Sequence, residues 1–198
     1  MPDHYYSQKP QSEFTKETKQ FTIRDRSYTF TMSSGVFSKH GIDFGTKLLI
    51  EQFHPPEVQG DFLDLGCGYG PIGIVLADQF KDRNVWMVDI NERAVLLAKQ
   101  NAEKNNVEVT VRESDGFENI ADHQFAAIIT NPPIRAGKKV IFHLFSQSEA
   151  HLVQGGELWV VVQKKQGAPS VIKYLNSIFS EVKVIARKKG YYMIRATK

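Results

Sequence analysis

Apolar positions in this chain change their period several times, and each change marks an element. Over Gln20–Asp25 and Ser27–Met32 they alternate with polar ones (Phe21, Ile23; Tyr28, Phe30, Met32), the period of two that predicts a small β-hairpin. A short amphipathic pattern over Thr46–Phe53 predicts a helix that stops at Pro55-Pro56. Beyond it, short apolar runs alternate with helical periods. Strands are predicted at Asp61–Leu65, Val85–Ile90, Val107–Val111, Phe125–Thr130 and Glu157–Gln163. Helices are predicted at Ile72–Phe80, Asn91–Asn105, Lys138–Val153 and Ser170–Phe179. Asn91 is placed to cap its helix, and Gly155-Gly156 to close the helix Lys138–Val153. Val182–Arg187 and Tyr191–Ala196 form a last hairpin around Lys188-Lys189-Gly190.

Alternating strands and helices predict an α/β fold: a mostly parallel seven-stranded sheet with helices on both faces and one antiparallel strand from the C-terminal hairpin. Residues 1–19 read as a polar extension and 20–198 as a single domain that includes the N-terminal hairpin. Ligands of such sheets bind beyond the carboxyl ends of the strands, so the loops after each strand carry the candidate chemistry.

The loop after the first long strand is Asp64-Leu-Gly66-Cys67-Gly68-Tyr-Gly70-Pro-Ile-Gly73. Its glycines allow a tight turn and expose bare main chain to a ligand. Pro71 breaks the dinucleotide spacing Gly-x-Gly-x-x-Gly. Asp64 disfavours phosphate and favours a cationic amino acid, which points to S-adenosylmethionine, with its ammonium, sulfonium and no phosphate; a plain strand-to-helix turn is the structural alternative. Asp89-Ile90 ends the next strand, 23 residues after Gly66, where a carboxylate can accept both ribose hydroxyls; an acid favoured at a helix start is the alternative. Asp115-Gly116, after the third strand, is a candidate for the adenine edge or an ordinary turn.

After the fourth strand comes Asn131-Pro132-Pro133-Ile134. Two prolines fix φ and so hold Asn131 in one pose. The Asn131 carboxamide oxygen and the Pro132 carbonyl can accept both hydrogens of a planar amine, aiming its lone pair at an incoming methyl without a strong base. An exocyclic ring amine and a glutamine amide both suit this chemistry; an ordinary turn is the alternative.

Charge adds a partner. Glu57–Asp122 holds 13 acids and 6 bases, whereas Lys164–Lys198 holds nine bases and one acid. A basic tail of this kind attracts phosphate backbones. Arg135, Lys138, Lys164 and Lys165 lie near strand ends, where they could grip phosphates; solvated charges on strand edges and helix faces are the alternative. Overall net charge is only +3, and the 41% apolar composition is that of a globular domain. One cysteine excludes an internal disulfide, no apolar run reaches the roughly 18 residues of a spanning helix, and the N-terminus has no leader-like apolar region, which together suggest a cytoplasmic protein. The six histidines are scattered, so no metal is expected.

The ordered set DLGCGYGPIG, VDIN, SDGF and NPPIRAGK resembles the Rossmann-like class I S-adenosylmethionine-dependent methyltransferases. Gly35-Val-Phe37-Ser and Gly41-Ile-Asp43-Phe-Gly45-Thr46 resemble its small-methyltransferase group, which includes the ribosomal RNA small-subunit methyltransferase C enzymes. The resemblance implies N2 methylation of a guanine in 16S ribosomal RNA, as RNA or small subunit, by a monomer or homodimer, with S-adenosylhomocysteine as product. It gives Asp64, Gly66, Gly68, Asp89 and Asn131 their family roles. The chain departs from the group in having no second methyltransferase-like domain and in carrying Ile134 where an aromatic residue usually stacks on the target base. Phe37 and Tyr69 are the aromatic replacements to consider. Methylation of a release-factor glutamine or of a small molecule, or RNA binding without catalysis, are the rival readings.

Overall fold

A computed structural model describes residues 15–33, 36 and 41–198, apart from the side chain of Arg135. Two antiparallel strands, β1 (Lys16–Ile23) and β2 (Arg26–Ser33), open the chain. They are followed by α1 (Phe44–Gln52), β3 (Phe62–Leu65), α2 (Pro71–Gln79), β4 (Val85–Asp89), α3 (Glu92–Lys104), β5 (Thr110–Glu113) and β6 (Phe125–Thr130). Then come α4 (Lys138–His151), β7 (Leu152–Gln163), α5 (Ala168–Ile178), β8 (Glu181–Lys188) and β9 (Tyr191–Thr197).

The main sheet runs β5-β4-β3-β6-β7-β9-β8. Every neighbouring pair is parallel except those made by β9, which lies antiparallel between β7 and β8. The fold is therefore the expected seven-stranded Rossmann-like sheet, with its antiparallel strand inside the sheet rather than at its edge. Two cores flank it. Alternate strand residues such as Phe62, Met87 and Trp159 face Leu49, Ile74 and Leu97 of α1, α2 and α3. The opposite set, including Leu63, Val88 and Val160, faces Phe145 of α4 and Leu175 of α5. Strand order reverses between β3 and β6, which opens a crevice beyond their carboxyl ends.

The hairpin is tied down by Asn101 of α3 and by Asn105, which caps the end of that helix, rather than by the main sheet. Asn101 accepts from the Thr31 amide (2.8 Å) and donates to the carbonyls of Thr31 (2.9 Å) and Tyr69 (2.8 Å). Asn105, one turn on, repeats the pairing with Thr29. Two side chains at i and i+4 thus supply the edge of β2 with what a further strand would give.

Several boundaries differ from the sequence pattern. β1 starts at Lys16, so the end of the expected extension is strand: its polar residues are paired, Thr18 with the Thr31 hydroxyl at 2.9 Å. α1 starts two residues early because Asp43 caps it. The third main-sheet strand starts at Thr110, not Val107, because Asn106 is left-handed (φ 54°) and the Val107 amide returns to the Ala102 carbonyl. α4 ends at His151. Gly155-Gly156 do not close it but lie in the irregular start of β7, where Leu152 already pairs with Phe125 and Gly156 accepts from the Lys198 amide.

Candidate functional site

A cavity of about 340 Å³ opens at the point where strand order reverses. Gly66 and Gly68 line it, both with positive φ (75° and 57°), and a Cβ on either would project into open space. This bare main chain is a cradle that any side chain would partly fill. The loop is held from beneath: Gly66 and Cys67 donate to the Val88 carbonyl (2.9 Å each) and Gly68 donates to Asp89 Oδ2 (2.8 Å). Gly70 (φ 97°) caps α2, and a Cβ there would come within 2.7 Å of Met87. Gly70 and the buried Cys67 therefore shape the loop and do not line the cavity.

Two carboxylates sit beneath the loop. Asp89 lines the cavity, with Oδ1 accepting from the Asn91 amide (2.9 Å) and Oδ2 from Gly68. Each oxygen keeps a lone pair for a ligand hydroxyl. Loss of water raises its carboxyl to about 6, against the opposing pull of those backbone donors. Asp64 is fully buried. Its Oδ2 accepts from the Gly73 amide at 2.8 Å, and Oδ1 has no partner. Burial first, and then the nearby Asp89 charge, lift its carboxyl to about 7. An orphaned buried carboxylate oxygen behind a bare glycine cradle fits a ligand that carries a cation and no phosphate.

The rest of the lining is mostly apolar: Ile90 and Ala94 on one wall, Val140 and Leu144 of α4 on another, with Ser114, Asp115 and Gly116 at the rim. The sequence reading did not pick out Val140 or Leu144. Val140 is 46% exposed, and an exposed apolar residue in a helix's first turn is the signal that would have found it. Ser114 receives the Asn119 amide (3.1 Å) and donates to the Gly116 carbonyl (2.9 Å), which fixes the turn carrying Asp115.

Asn131 and Pro133 complete the cavity. The Asn131 Nδ2 donates to the Thr46 hydroxyl at 3.0 Å and lies 3.4 and 3.5 Å from the two Asp43 oxygens. Asp43 in turn accepts from the Thr46 hydroxyl (2.6 Å) and from the amides of Gly45 and Thr46 as the cap of α1. The donor end of the carboxamide is committed to this pair, leaving Oδ1 as the acceptor end. Asp43 and Thr46 thus act on Asn131 from 85 to 88 residues away in sequence. Pro132 is buried and its carbonyl already accepts from Ile134 at 2.8 Å, which leaves it one lone pair.

The remaining candidates are spread out. Ile134 and Lys138 flank a separate shallow depression between α4 and α5, and Ile134 packs on the second core. Lys164 and Lys165 are exposed in the turn after β7. Phe37 and the Arg135 side chain lie outside what the structure describes. Tyr69 cannot stack on a base: it is 2% exposed and packs edge-on against Phe30 at 5.7 Å. Among the described residues no group of three or more His, Cys, Asp or Glu side chains is placed to hold a metal ion, and no helix is long and apolar enough to cross a membrane.

Comparison with known proteins places the chain in a family. A family model described as methyltransferase small domain matches residues 27–195. An uncharacterized Bacillus subtilis protein, YbxB, is 55% identical over the full length of both chains. Ribosomal RNA small subunit methyltransferase C of Pasteurella multocida is 39% identical over 64% of this chain and 39% of its own. The structure of a T. thermophilus 16S rRNA N2 methyltransferase, solved with AdoMet and guanosine, superposes with a TM-score of 0.83 at 26% identity. It is covered over 96% of this chain and 52% of its own length. The chain thus spans about half the length of the small-subunit methyltransferase C relatives it matches.

Proposed function

The chain belongs to the methyltransferase small domain family, and from that premise we propose that it is an S-adenosylmethionine-dependent N-methyltransferase acting on the exocyclic N2 amine of a guanine in 16S ribosomal RNA. The observation that carries the reading is the fixed pose of Asn131 at the mouth of a phosphate-averse cavity, with its amide nitrogen held by Thr46 and Asp43. The guanosine-bound structural relative and the methyltransferase C relatives support the choice of base and RNA.

In this reading Gly66 and Gly68 cradle the donor, Asp89 takes its ribose hydroxyls, and Asp64 supplies the negative charge behind its cationic end. When bound, S-adenosylmethionine supplies a methyl on a sulfonium sulfur, and the sulfur keeps the electron pair of the broken bond to give S-adenosylhomocysteine. A guanine must leave its stack to reach the cavity. Oδ1 of Asn131 accepts one hydrogen of its amine and the second lone pair of the Pro132 carbonyl accepts the other. Held to one side, the nitrogen is drawn out of conjugation and its lone pair is aimed. The extra proton then passes from nitrogen to water, so no side chain has to be a strong base. The apolar walls from Val140 and Leu144 exclude water from the methyl's path.

The test is transfer of labelled methyl to 16S ribosomal RNA, to 30S subunits and to a release factor. The expected product is N2-methylguanosine in RNA. An Asn131→Ala enzyme is expected to lose roughly 100-fold or more in kcat, as for removal of one preorganised polar group, with cofactor affinity unchanged. Label on a release-factor glutamine, or full turnover by Asn131→Ala, would contradict the proposal.

A further inference from the structure

The basic C-terminal tail is not one uniform surface. Eight of its nine cations fall into two sets according to which end of the sheet they occupy, and the ninth, Lys173, is exposed on α5. Away from the catalytic end they are paired: Lys183 with Glu181 at 2.7 Å, Arg195 with Glu157 (3.5 Å) and Glu181 (3.6 Å), and Lys198 with Glu149 (3.7 Å). At the carboxyl end of β7 and β8 stand Lys164, Lys165, Arg187, Lys188 and Lys189, all exposed. Among the described residues none of these five has an acidic partner. Unpaired like charges brought together repel one another, so holding five of them on one rim costs stability that a polyanion would recover.

The rim is built into the site. The Lys164 amide donates to the Gly190 carbonyl (2.8 Å), and Gln163 donates to the Tyr191 hydroxyl (2.6 Å), so the two basic turns are locked side by side. Tyr191 packs on Phe44 at 5.6 Å between ring centres, and a Cβ on Gly45 would meet its ring at 2.8 Å. Lys189 Nζ lies 4.8 Å from the centre of the Phe44 ring. Phe44 and Gly45 begin the helix turn whose Thr46 holds Asn131. The hairpin turn therefore sits against the element that poses the catalytic carboxamide. The acidic groups belong to the other half of the sheet: Asp64 in β3, Asp89 at the end of β4 and Asp115 just after β5.

We infer that the turns Lys164–Lys165 and Arg187–Lys189 form a clamp for the phosphates of the RNA strand that carries the target base, entering over β7, β9 and β8 while the cofactor occupies the acidic half. The inference rests on the proposed RNA methylation and names where the strand runs. It also gives the final hairpin a substrate-gripping role and marks the paired Lys183 as outside the clamp.

The test is fluorescence binding of a labelled single-stranded RNA, with salt titration, to the wild type, Lys164→Glu/Lys165→Glu, Lys188→Glu/Lys189→Glu and the control Lys183→Glu. Cofactor binding is measured on each by calorimetry, which also shows that each is folded. Each double variant is expected to weaken RNA binding roughly 10- to 100-fold and to flatten the log–log salt slope by about 1.4, at about 0.7 per phosphate of single strand, with cofactor affinity unchanged. The control is expected to keep the wild-type salt slope. Double variants that bind RNA with the wild-type slope, or a control that flattens it as much as they do, would overturn the clamp alone. A wild type that binds cofactor but no RNA, or that binds polyglutamate as tightly as RNA, would overturn both the clamp and the RNA substrate.

Discussion

The chemistry of this site depends on how single side chains are held. Asn131 has one direct hydroxyl partner, Thr46, itself fixed by Asp43 at 2.6 Å. A Thr46→Val protein keeps the shape and loses that acceptor, so the carboxamide gains freedom to turn over. A net hydrogen bond is worth about 0.5–1.5 kcal/mol, so kcat is expected to fall roughly 2- to 10-fold with cofactor affinity unchanged and with recovery in Thr46→Ser; methyl-transfer kinetics on the pair check this. Asp64 and Asp89 make a second residue-scale prediction. Their carboxyls are raised to about 7 and about 6, so the folded, ligand-free protein holds protons that the unfolded chain has released. The stability they contribute is present below the ordinary value of 3.8 and is lost as pH rises through 6 and 7. A cationic donor favours the ionised forms. Its affinity is therefore expected to fall as pH drops from about 8 through 6, with proton release on binding in that window. Calorimetry in buffers of different ionisation enthalpy measures the release; pH-independent affinity would contradict it.

At the scale of elements, the decisive contacts are between the glycine loop, α2 and β4, and between α3 and the hairpin. A Cβ on Gly73 would come within 2.5 Å of Met87 and 3.2 Å of Asp64 Oδ2. Gly73→Ala is expected to cost about 1–3 kcal/mol by overpacking and to weaken cofactor binding, read by denaturant melts with and without ligand. Asn101→Ala removes the partner of three buried backbone groups. With each orphaned group costing about 1–3 kcal/mol, a loss of about 3 kcal/mol or more is expected, larger than for the more exposed Asn105. The main strands and helices were readable because short unbroken apolar runs, as in Phe125–Thr130, buried at every position, alternate with helical periods. The caps and turns were less so. Helical spacing alone could not show that Asn101 serves β2, since that contact joins residues 70 apart. Asp43 likewise looks like loop until its cap on α1 is seen.

For the whole molecule, the sheet order separates two kinds of surface along one edge. The β3–β4–β5 half holds acids and bare glycine main chain, and the β7–β9–β8 half holds unpaired cations, with Asn131 at the junction. The charge asymmetry was legible in sequence, but its split was not. Lys183 stands two residues from Glu181 on β8, but only the antiparallel insertion of β9 puts Arg195 beside Glu157 and Glu181 and brings the Lys188 end of β8 to the edge that carries Lys164. The four signature loops were legible because parallel strands deliver every such loop to the same end. The replacement of the expected aromatic by Ile134 was also legible, but not its packing into the second core. Nucleoside mass spectrometry of 16S ribosomal RNA from cells lacking the gene, with and without the purified enzyme added back, tests the central claim most directly. The account predicts one missing N2-methylguanosine, restored by the wild type and not by Asn131→Ala. An unchanged set of methylated guanosines would contradict it.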